Sequence, residues 1–506
     1  MNLTKFNQFV KVGVICSLPL FSLPSQALKV SNIAQQTAEY AVNTYSQAMI
    51  DSLAKLVQHN TVAAKGIPSD KNPTHIAFKK ELQQQALALG LDYQDDGYIV
   101  IIGLGNSKER VGIITHGDIQ PANPDKWAKS PFELDTTSEP GKLIGRGTED
   151  DKGPIATALY AMKAIQDKGI PLNKRLELYV YMAEESDWQP LIDYVKTHEL
   201  PQTNITIDAE YPVVTAEKGY GTLKIAFKKL NKQTFDTYIK HFEGGYFGSQ
   251  IPEDAKAVID NADINLLEKL MKKAQSYQGV NFDFTLKDNQ LTITALGKSA
   301  HSSKPQEGVN AIPYLADLLA DHRWPNNGPG TLVNFINDNV GLGLEGKKFG
   351  EIAYHDDFMG PMTVSPTVIK QHNDSLELNI NIRRPEGKTA TQLRAEITQA
   401  IASWKLQYLA ELTELDHQIG DPFVQSDAPH IDTLLSVFSH FTGINNAQPI
   451  SIGGGTNSRL FPGAVAFGPS MPGEKYTGHS EHEFITKKQF DLNLKMYTAA
   501  MVELAK

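Results

Sequence analysis

Histidine and carboxylate side chains recur along this sequence in a pattern that could hold divalent cations. They lie in five short segments, 115–118, 145–154, 183–186, 206–210 and 478–483. Imidazole nitrogens and carboxylate oxygens are ligands that suit Zn²⁺, Mn²⁺ or Co²⁺. Two histidines and three carboxylates are enough for a co-catalytic pair of cations with a water molecule between them. Glu184 and Glu185 are neighbours, so one could bind a cation while the other acts as a general base.

The elements around these segments explain how the side chains could meet. Short strands rich in β-branched residues alternate with helical stretches up to residue 208. This alternation is typical of βαβ units, and we expect an α/β fold whose mainly parallel sheet has helices on both faces. Three of the segments follow predicted strands, at 111–115, 176–182 and 205–208. Ligands of such sheets bind beyond the carboxyl ends of the strands, so these side chains should share one edge.

A second kind of pattern begins near Gly221. Strands such as 376–382 alternate apolar and polar residues, and helical stretches such as 391–403 accompany them. This favours an α+β unit whose sheet has one solvated face. After Gly420 the helix and strand alternation resumes. We therefore predict one α/β domain, formed by 28–222 and 421–506, that is interrupted by an inserted α+β domain at 223–420.

The N-terminal segment 1–27 has the composition of a secretory signal peptide. It combines lysines at its start, an apolar stretch at 12–23 and a small-x-small cleavage site that ends at Ala27. The apolar stretch is shorter than the ~20 residues that a membrane span needs. The chain's single cysteine, Cys16, lies inside this segment, so the mature protein would hold no disulfide. We expect a periplasmic or secreted protein with no membrane association after cleavage.

Composition limits the partners. The 506 residues are 41% hydrophobic and 21% charged, an ordinary globular balance. Lys and Arg number 48 and Asp and Glu 58, which gives a formal net charge of −10. An acidic chain has no general electrostatic reason to bind nucleic acid or an anionic membrane. Acidity can also mean that carboxylates have a specific role in the protein.

The order and spacing of the motifs resemble the di-zinc metallopeptidase family of aminoacylase, glutamate carboxypeptidase and carnosinase, and most closely its peptidase V-type dipeptidases. The resemblance spans nearly the whole mature chain. It rests on Trp127, 131–132, 145–147, 150–154, 208–212 and 217–219. In this family the inserted domain is a lid over the catalytic domain. The resemblance implies a metal-dependent dipeptidase, and the signal segment adds the expectation that it is exported.

The resemblance also implies a role for each predicted site residue. Two metal ions, zinc by preference and manganese or cobalt as alternatives, would be held by five ligands. Asp150 would bridge the ions, and Glu184 would be the general base that deprotonates a metal-bridging water to hydroxide. The side chain of Asp118 would hold the other ring nitrogen of His116 and so orient it. The five ligands are His116 and Asp208 for one ion, Glu185 and His479 for the other, and the shared Asp150.

Three motifs in the later part of the chain would contact substrate. His301 matches the family's lid histidine, which would stabilise the oxyanion of the tetrahedral intermediate. Arg383 would clamp the C-terminal carboxylate of a peptide, with Arg384 as the alternative. A glycine-rich loop could cradle a carboxylate with its backbone N–H groups. The residues of this loop are Gly454, Gly455, Thr456 and Asn457.

Two other functions stay open at this level. The same frame supports N-acyl-amino-acid deacylases and carboxypeptidases, so fold does not decide the substrate. An exported binding protein that kept the frame would be expected to have lost a ligand or the base, yet all six residues are present. Small peptide substrates are the expected partners, and the mature protein would be a monomer or a homodimer paired through its lid.

Overall fold

The computed structural model describes residues 29–229 and 237–506. The predicted signal peptide at 1–27 lies outside these residues. Among the helices in the described part of the chain, none is both long and apolar enough to cross a membrane.

The first sheet is parallel at its centre and antiparallel towards its edges. Its central strands are almost continuously buried, as expected when helices cover both faces. Parallel pairing joins Arg110–His116 to Arg175–Tyr181 on one side and to Thr203–Thr206 on the other. Within the described residues the strand order is Asp92–Asp95, Ile99–Leu104, Arg175–Tyr181, Arg110–His116, Thr203–Thr206, Val465–Ala466, Val214–Glu217 and Phe423–Val424, and Ile450–Ile452 also pairs with Val214–Glu217.

Helices pack on both faces of this sheet. Three long helices, Asn32–Val57, Lys152–Asp167 and Lys487–Ala505, pack against one another over the larger apolar core. The shorter helix Gln189–Thr197 covers the opposite face, where Leu191 packs near Tyr179. Side-chain caps begin several of these helices, for example where Ser31 accepts a hydrogen bond from the backbone of Ala34. The remaining helices of this domain are Pro73–Ala88 and Ile431–Thr442.

The second sheet is antiparallel and lies within the inserted region. Its strands alternate buried and exposed residues, which matches a sheet with one face on a core. Within the described residues its strand order is Asn281–Lys287, Gln290–Leu296, Asp254–Asp260, Tyr238–Gly244, Thr363–Gln371, Ser375–Arg384, Gly219–Lys228 and Leu412–Ile419. The helices that pack with it are Ile264–Ala274, Ala311–Leu319, Pro329–Phe335 and Ala390–Tyr408.

The inserted region, hereafter the lid, lies against the carboxyl edge of the first sheet. Lys304 of the lid forms an ion pair with Glu210 at 2.8 Å, and Lys126 reaches Glu253 of the lid at 2.6 Å. Further two-stranded pairs lie in loops, and they are Gln250–Ile251 with Ala300–His301, His355–Asp356 with Gly360–Pro361, Pro469–Ser470 with Ala209–Glu210, and Phe484–Thr486 with Lys142–Ile144. Each of these loop pairs lies within one domain, whereas the two ion pairs join the lid to the catalytic domain.

The predicted fold class is confirmed. The mainly parallel arrangement holds for the centre of the first sheet, whereas the edge strands Asp92–Asp95 and Ile99–Leu104 run antiparallel to their neighbours. The strand that opens the lid sheet begins at Gly219 and its last strand ends at Ile419. Strand pairing, unlike strand position, depends on long-range contacts, and the apolar pattern of one strand does not reveal its partner's direction.

Candidate metal centre and active site

Three of the predicted metal ligands meet at the carboxyl edge of the first sheet. His116 ends its strand, while Glu185 and Asp208 each follow the end of a neighbouring parallel strand. Asp150 lies just before a buried helix, and His479 lies in the loop before the final helix. His479 has a φ of +62°, which is uncommon for a residue other than glycine and is typical of functional sites.

Asp150 lies between the two histidines and belongs to both halves of the cluster. His116 Nε2 lies 2.9 Å from Asp150 Oδ1 and 3.7 Å from Asp208 Oδ1. His479 Nε2 lies 3.1 Å from Asp150 Oδ2 and 2.6 Å from Glu185 Oε1. The two groups that could each hold a metal ion therefore share a single carboxylate, and each histidine faces a different oxygen of it.

The hydrogen bonds around His116 fit a metal ligand. Its Nδ1 lies 2.9 Å from the backbone oxygen of Asp118, which only accepts, so Nδ1 carries a proton. In the neutral ring, Nε2 then turns a lone pair towards the carboxylate oxygens of Asp150 and Asp208. Such a contact is repulsive unless a proton or a cation lies between the groups. Nitrogen and oxygen donors of this kind fit zinc, manganese or cobalt.

Electrostatics also favours cations here, because the carboxylates are crowded and buried. Burial raises the pKa of Asp208 to about 6, although His116 opposes the shift. The pKa of Asp150 lies well below its usual range, because hydrogen bonds with His116 and His479 outweigh burial. Burial would lower the pKa of His479, but Glu185 and Asp150 raise it to about 10. A metal ion would take the place of the proton that these carboxylates hold on His479.

Two buried carboxylates outside the ligand cluster hold the ligand loops in place. Glu483 accepts hydrogen bonds from Arg146 at 2.9 Å and from the backbone N–H of Asp150 at 3.1 Å. Glu149 accepts from the backbone and hydroxyl groups of Thr477, at 2.6 and 2.7 Å. These bonds tie the loop before Lys152–Asp167 to the loop that carries His479. They give Glu149 and Glu483 a structural role outside the cluster.

Asp118 supports the site in a way that differs from the sequence-based prediction. Its backbone oxygen, rather than its carboxylate, holds His116; the nearer carboxylate oxygen lies 3.6 Å from Nδ1. The carboxylate instead accepts the backbone N–H groups of Glu184 and Glu185, both at 3.0 Å. Asp118 therefore orients two functional segments at once.

Glu184 is buried beside the cluster and its carboxylate is not tied down. Oε1 has no hydrogen-bond partner among the described residues, and the side chain lines the cavity at the centre of the site. Burial, reinforced by Asp208, raises the pKa of Glu184 well above its usual range. Cations held by the neighbouring carboxylates would oppose that rise. A free carboxylate next to the metal ligands is the arrangement expected of a general base.

A cavity of about 630 Å³ separates this cluster from the lid. Both domains line it, with Glu184 and His479 on the catalytic side and His301 and Arg383 on the lid side. The ring of His301 lies 4.4 Å from that of His479, measured between centroids. The lid histidine and the metal cluster therefore face the same space, although 178 residues of sequence separate His301 and His479.

The two candidate arginines have different surroundings. Arg383 lines the cavity, where its guanidinium lies 4.9 Å from the Tyr220 ring centroid and donates to Ser302 Oγ at 3.1 Å. Arg384 turns away and donates to the backbone oxygen of Gly420 at 2.9 Å and to Asp421. Only Arg383 of the pair is placed to meet a ligand.

The glycine-rich loop is divided between the cavity and the protein interior. Gly454, Gly455 and Thr456 line the cavity, whereas Asn457 is buried and is not part of the cavity wall. Thr456 Oγ1 donates to the buried Glu217 at 2.8 Å, which anchors the loop from below. Three of the four predicted loop residues are thus accessible to a ligand.

Tyr476 is a site residue that the sequence did not reveal. Its hydroxyl donates to Asp150 Oδ2 at 2.6 Å, and its ring lies 5.7 Å from that of His301. Gln120 is a second, donating to Glu185 Oε2 at 2.9 Å. A tyrosine three residues before a ligand histidine follows no general spacing rule, so only the fold of the loop shows its role.

A mixed α/β domain with clustered histidines and carboxylates at the sheet edge, closed by a lid, defines a metal-dependent hydrolase. The chain belongs to peptidase family M20/M25/M40, whose sequence profile matches residues 112–503. The resemblance drawn from the motifs is thereby confirmed, and the protein is a metal-dependent peptidase.

Individual relatives agree with this assignment. Beta-Ala-Xaa dipeptidase of Lactobacillus delbrueckii subsp. lactis is 29% identical over 408 residues, which cover 80% of this chain and 84% of that protein. The structure of human carnosine dipeptidase 1 covers 94% of this chain and 99% of its own, with a TM-score of 0.56 and 13% identity. Dug1p, a di-peptidase of Saccharomyces cerevisiae, gives a TM-score of 0.57 at 12% identity, with 92% and 98% covered. At these identities the two structures show a shared fold.

Proposed function

We propose that this protein is an exported dipeptidase that hydrolyses the peptide bond of dipeptides with two divalent cations, zinc by preference. The observation that supports this most directly is the shared Asp150, whose two oxygens face His116 and His479. Glu184, whose Oε1 has no hydrogen-bond partner among the described residues, supplies the base. The name of the Lactobacillus relative, a Beta-Ala-Xaa dipeptidase, agrees with this class of substrate.

The metal ligands and the base have separate tasks in this proposal. His116 and Asp208 would hold one cation, Glu185 and His479 the other, and Asp150 both. Such a pair of cations lowers the pKa of a water molecule and polarises the scissile carbonyl. Glu184 accepts the proton of the attacking water and returns it to the leaving amine, as a general base and then a general acid. The backbone N–H bonds to Asp118 keep Glu184 in place during both steps.

The lid residues complete the site from above. His301, which lines the cavity beside His479, would donate to the oxygen of the tetrahedral intermediate, an interaction of the kind worth about 3 kcal/mol. Arg383 binds the C-terminal carboxylate of the substrate, helped by the N–H groups of Gly454 and Gly455. Arg383 lines the cavity on the lid side, and if it binds the carboxylate, a chain longer than a dipeptide would have to place backbone where the carboxylate binds. Length selection follows from this position.

Export is the second part of the proposal. Support comes from segment 1–27 with its lysines, apolar stretch and cleavage site, and from the absence of cysteine after residue 27. A periplasmic location would expose the enzyme to small peptides that arise outside the cytoplasm. Fractionation of cells that express the full chain, with N-terminal sequencing of the product, tests this part. A product that keeps residue 1 and stays in the cytoplasm would contradict it.

A substrate panel tests the proposed reaction. The enzyme is stripped with a chelator, reloaded with Zn²⁺, Mn²⁺ or Co²⁺, and assayed on dipeptides, tripeptides and N-acyl-amino acids. We expect activity on dipeptides that is lost with the metal and restored by it. Preference for N-acyl-amino acids, or for the last residue of longer peptides, would instead indicate the deacylase or carboxypeptidase function.

A further inference from the structure

The hydrogen bonds of His301 determine which of its ring nitrogens carries the proton. The backbone N–H of Ser303 donates to His301 Nδ1 at 3.1 Å, and Ser303 Oγ lies 2.5 Å from the same nitrogen. A backbone N–H can only donate, so Nδ1 must be the unprotonated, accepting nitrogen. The hydroxyl of Ser303 then also donates to Nδ1. Both groups that Ser303 offers therefore select the same tautomer.

The other ring nitrogen of His301, Nε2, is available to a ligand in the cavity. With Nδ1 accepting, the neutral ring carries its proton on Nε2, and this atom forms no hydrogen bond within the part of the chain that the structure describes. His301 lines the cavity with His479 and Tyr476 beside it. A ring N–H available to the cavity is the group needed to stabilise an oxyanion, whereas the other tautomer would present a lone pair on Nε2 and repel it.

A glycine from the catalytic domain makes room for Ser303. A Cβ on Gly453 would lie 2.2 Å from the backbone oxygen of Ser303 and 3.1 Å from its carbonyl carbon. No side chain can occupy that place while Ser303 keeps its position. At the next residue, Gly454, the nearest atoms to a Cβ would be 3.7 Å away, an ordinary contact. The absence of a side chain is thus required at Gly453 and not at Gly454.

We propose that Ser303 is a positioning residue that fixes His301 in its Nε2-protonated tautomer. Gly453, because it has no side chain, allows Ser303 to lie within hydrogen-bond distance of His301. The importance of this tautomer for catalysis rests on the proposed function. The tautomer itself does not, because it follows from hydrogen bonds that exist without substrate. Gly453 and Ser303 belong to different domains, so the close approach between them joins the lid to the catalytic domain.

The tautomer can be observed directly by NMR. The zinc-loaded full-length enzyme is labelled with ¹⁵N-histidine, and His301 is assigned by the signals that disappear in His301→Gln. Nitrogens with and without a proton differ widely in ¹⁵N chemical shift. We expect a proton on Nε2 and an unprotonated Nδ1. A proton on Nδ1, or on both nitrogens, at neutral pH would overturn the proposal, whatever the enzyme's substrate proves to be.

Variants then test the parts played by Ser303 and Gly453. Ser303→Ala should populate the second tautomer and lower kcat by about two- to tenfold, the effect of one lost hydrogen bond, with little change in KM. Ser303→Thr keeps the hydroxyl and should restore both the Nε2-protonated tautomer and the wild-type kcat. Gly453→Ala should shift the His301 signals further, because the backbone N–H is displaced as well. Gly343→Ala, a control at which an added Cβ would meet nothing within 4 Å, should leave those signals unchanged.

These results also separate the positioning role from the proposed function. If His301 has the expected tautomer but His301→Gln keeps full activity on dipeptides, the proposed role of His301 fails while the positioning role stands. If Ser303→Ala and Gly453→Ala both leave the His301 signals and kcat at wild-type values, the positioning role is wrong. Circular dichroism of each variant shows whether it has folded.

Discussion

Replacing Glu184 by glutamine should remove catalysis without removing the metal. Glutamine has the same shape but cannot take up a proton in place of the carboxylate. The side chain has little structural work to do, because Oε1 has no partner among the described residues and the segment is held through its backbone bonds to Asp118. We therefore expect folding and metal binding to be preserved, and the loss to appear in kcat.

The size of the loss follows from the role of a general base. Such a group contributes about 10²- to 10⁴-fold to the rate, which corresponds to about 2.7 to 5.4 kcal/mol in the activation free energy. Glu185→Gln is the matched control, since it changes the adjacent residue, which faces His479 at 2.6 Å. That variant should lose metal affinity and regain activity only at high metal concentration.

The assay measures kcat and KM on a dipeptide at saturating metal, together with the metal content of each dialysed variant. A Glu184→Gln enzyme that keeps more than about a tenth of wild-type kcat with its metal bound would refute the base assignment. If Glu184→Gln instead loses metal while Glu185→Gln keeps it, the two roles are reversed.

Two further predictions concern the lid arginine and a buried acid. Arg383→Ala should lower kcat/KM for a dipeptide by about 10- to 100-fold through loss of a charge-assisted contact. The same change should affect the C-terminally amidated dipeptide much less, because that substrate has no carboxylate. Equal losses on both substrates would contradict a role for Arg383 in binding the carboxylate. Burial raises the pKa of Glu217 to about 7, although Arg459 and Thr456 oppose it. This folded-state pKa exceeds the ordinary 4.5, so Glu217 contributes stability below pH 4.5 that is lost as the pH rises through 7. In urea unfolding, the free energy of unfolding of the wild type should fall by on the order of 3 kcal/mol relative to that of Glu217→Gln as the pH rises over that range. Parallel pH profiles of the two proteins would refute this prediction.

The metal cluster could be predicted because its residues follow elements with strong local signals. His116, Glu185 and Asp208 come directly after strands whose apolar runs are visible in the sequence, and parallel strands bring their carboxyl ends together. Asp150 and His479 were placed by the resemblance to a family rather than by spacing. The structure brings all five into two adjoining groups.

Other parts of the site depend on loop conformation, which the residue types do not determine. Asp118 was expected to hold His116 through its carboxylate, but the turn after the strand brings its backbone oxygen nearer. Tyr476 reaches Asp150 because the loop folds back over the sheet edge. The contact between Gly453 and Ser303 joins two domains. Such contacts arise from tertiary packing and leave no local pattern to find.

The central claim is that one carboxylate, Asp150, joins two metal ions, and metal content tests it most directly. The wild-type enzyme and two variants, Asp150→Asn and Asp151→Asn, are loaded with zinc, dialysed and analysed for zinc per chain. Asp151 is the buried neighbour that accepts a hydrogen bond from Thr115 and belongs to neither group of candidate ligands. We predict two ions in wild type and in Asp151→Asn, and at most one in Asp150→Asn. Two tightly held ions in Asp150→Asn, or a single ion in wild type at saturating zinc, would contradict the account.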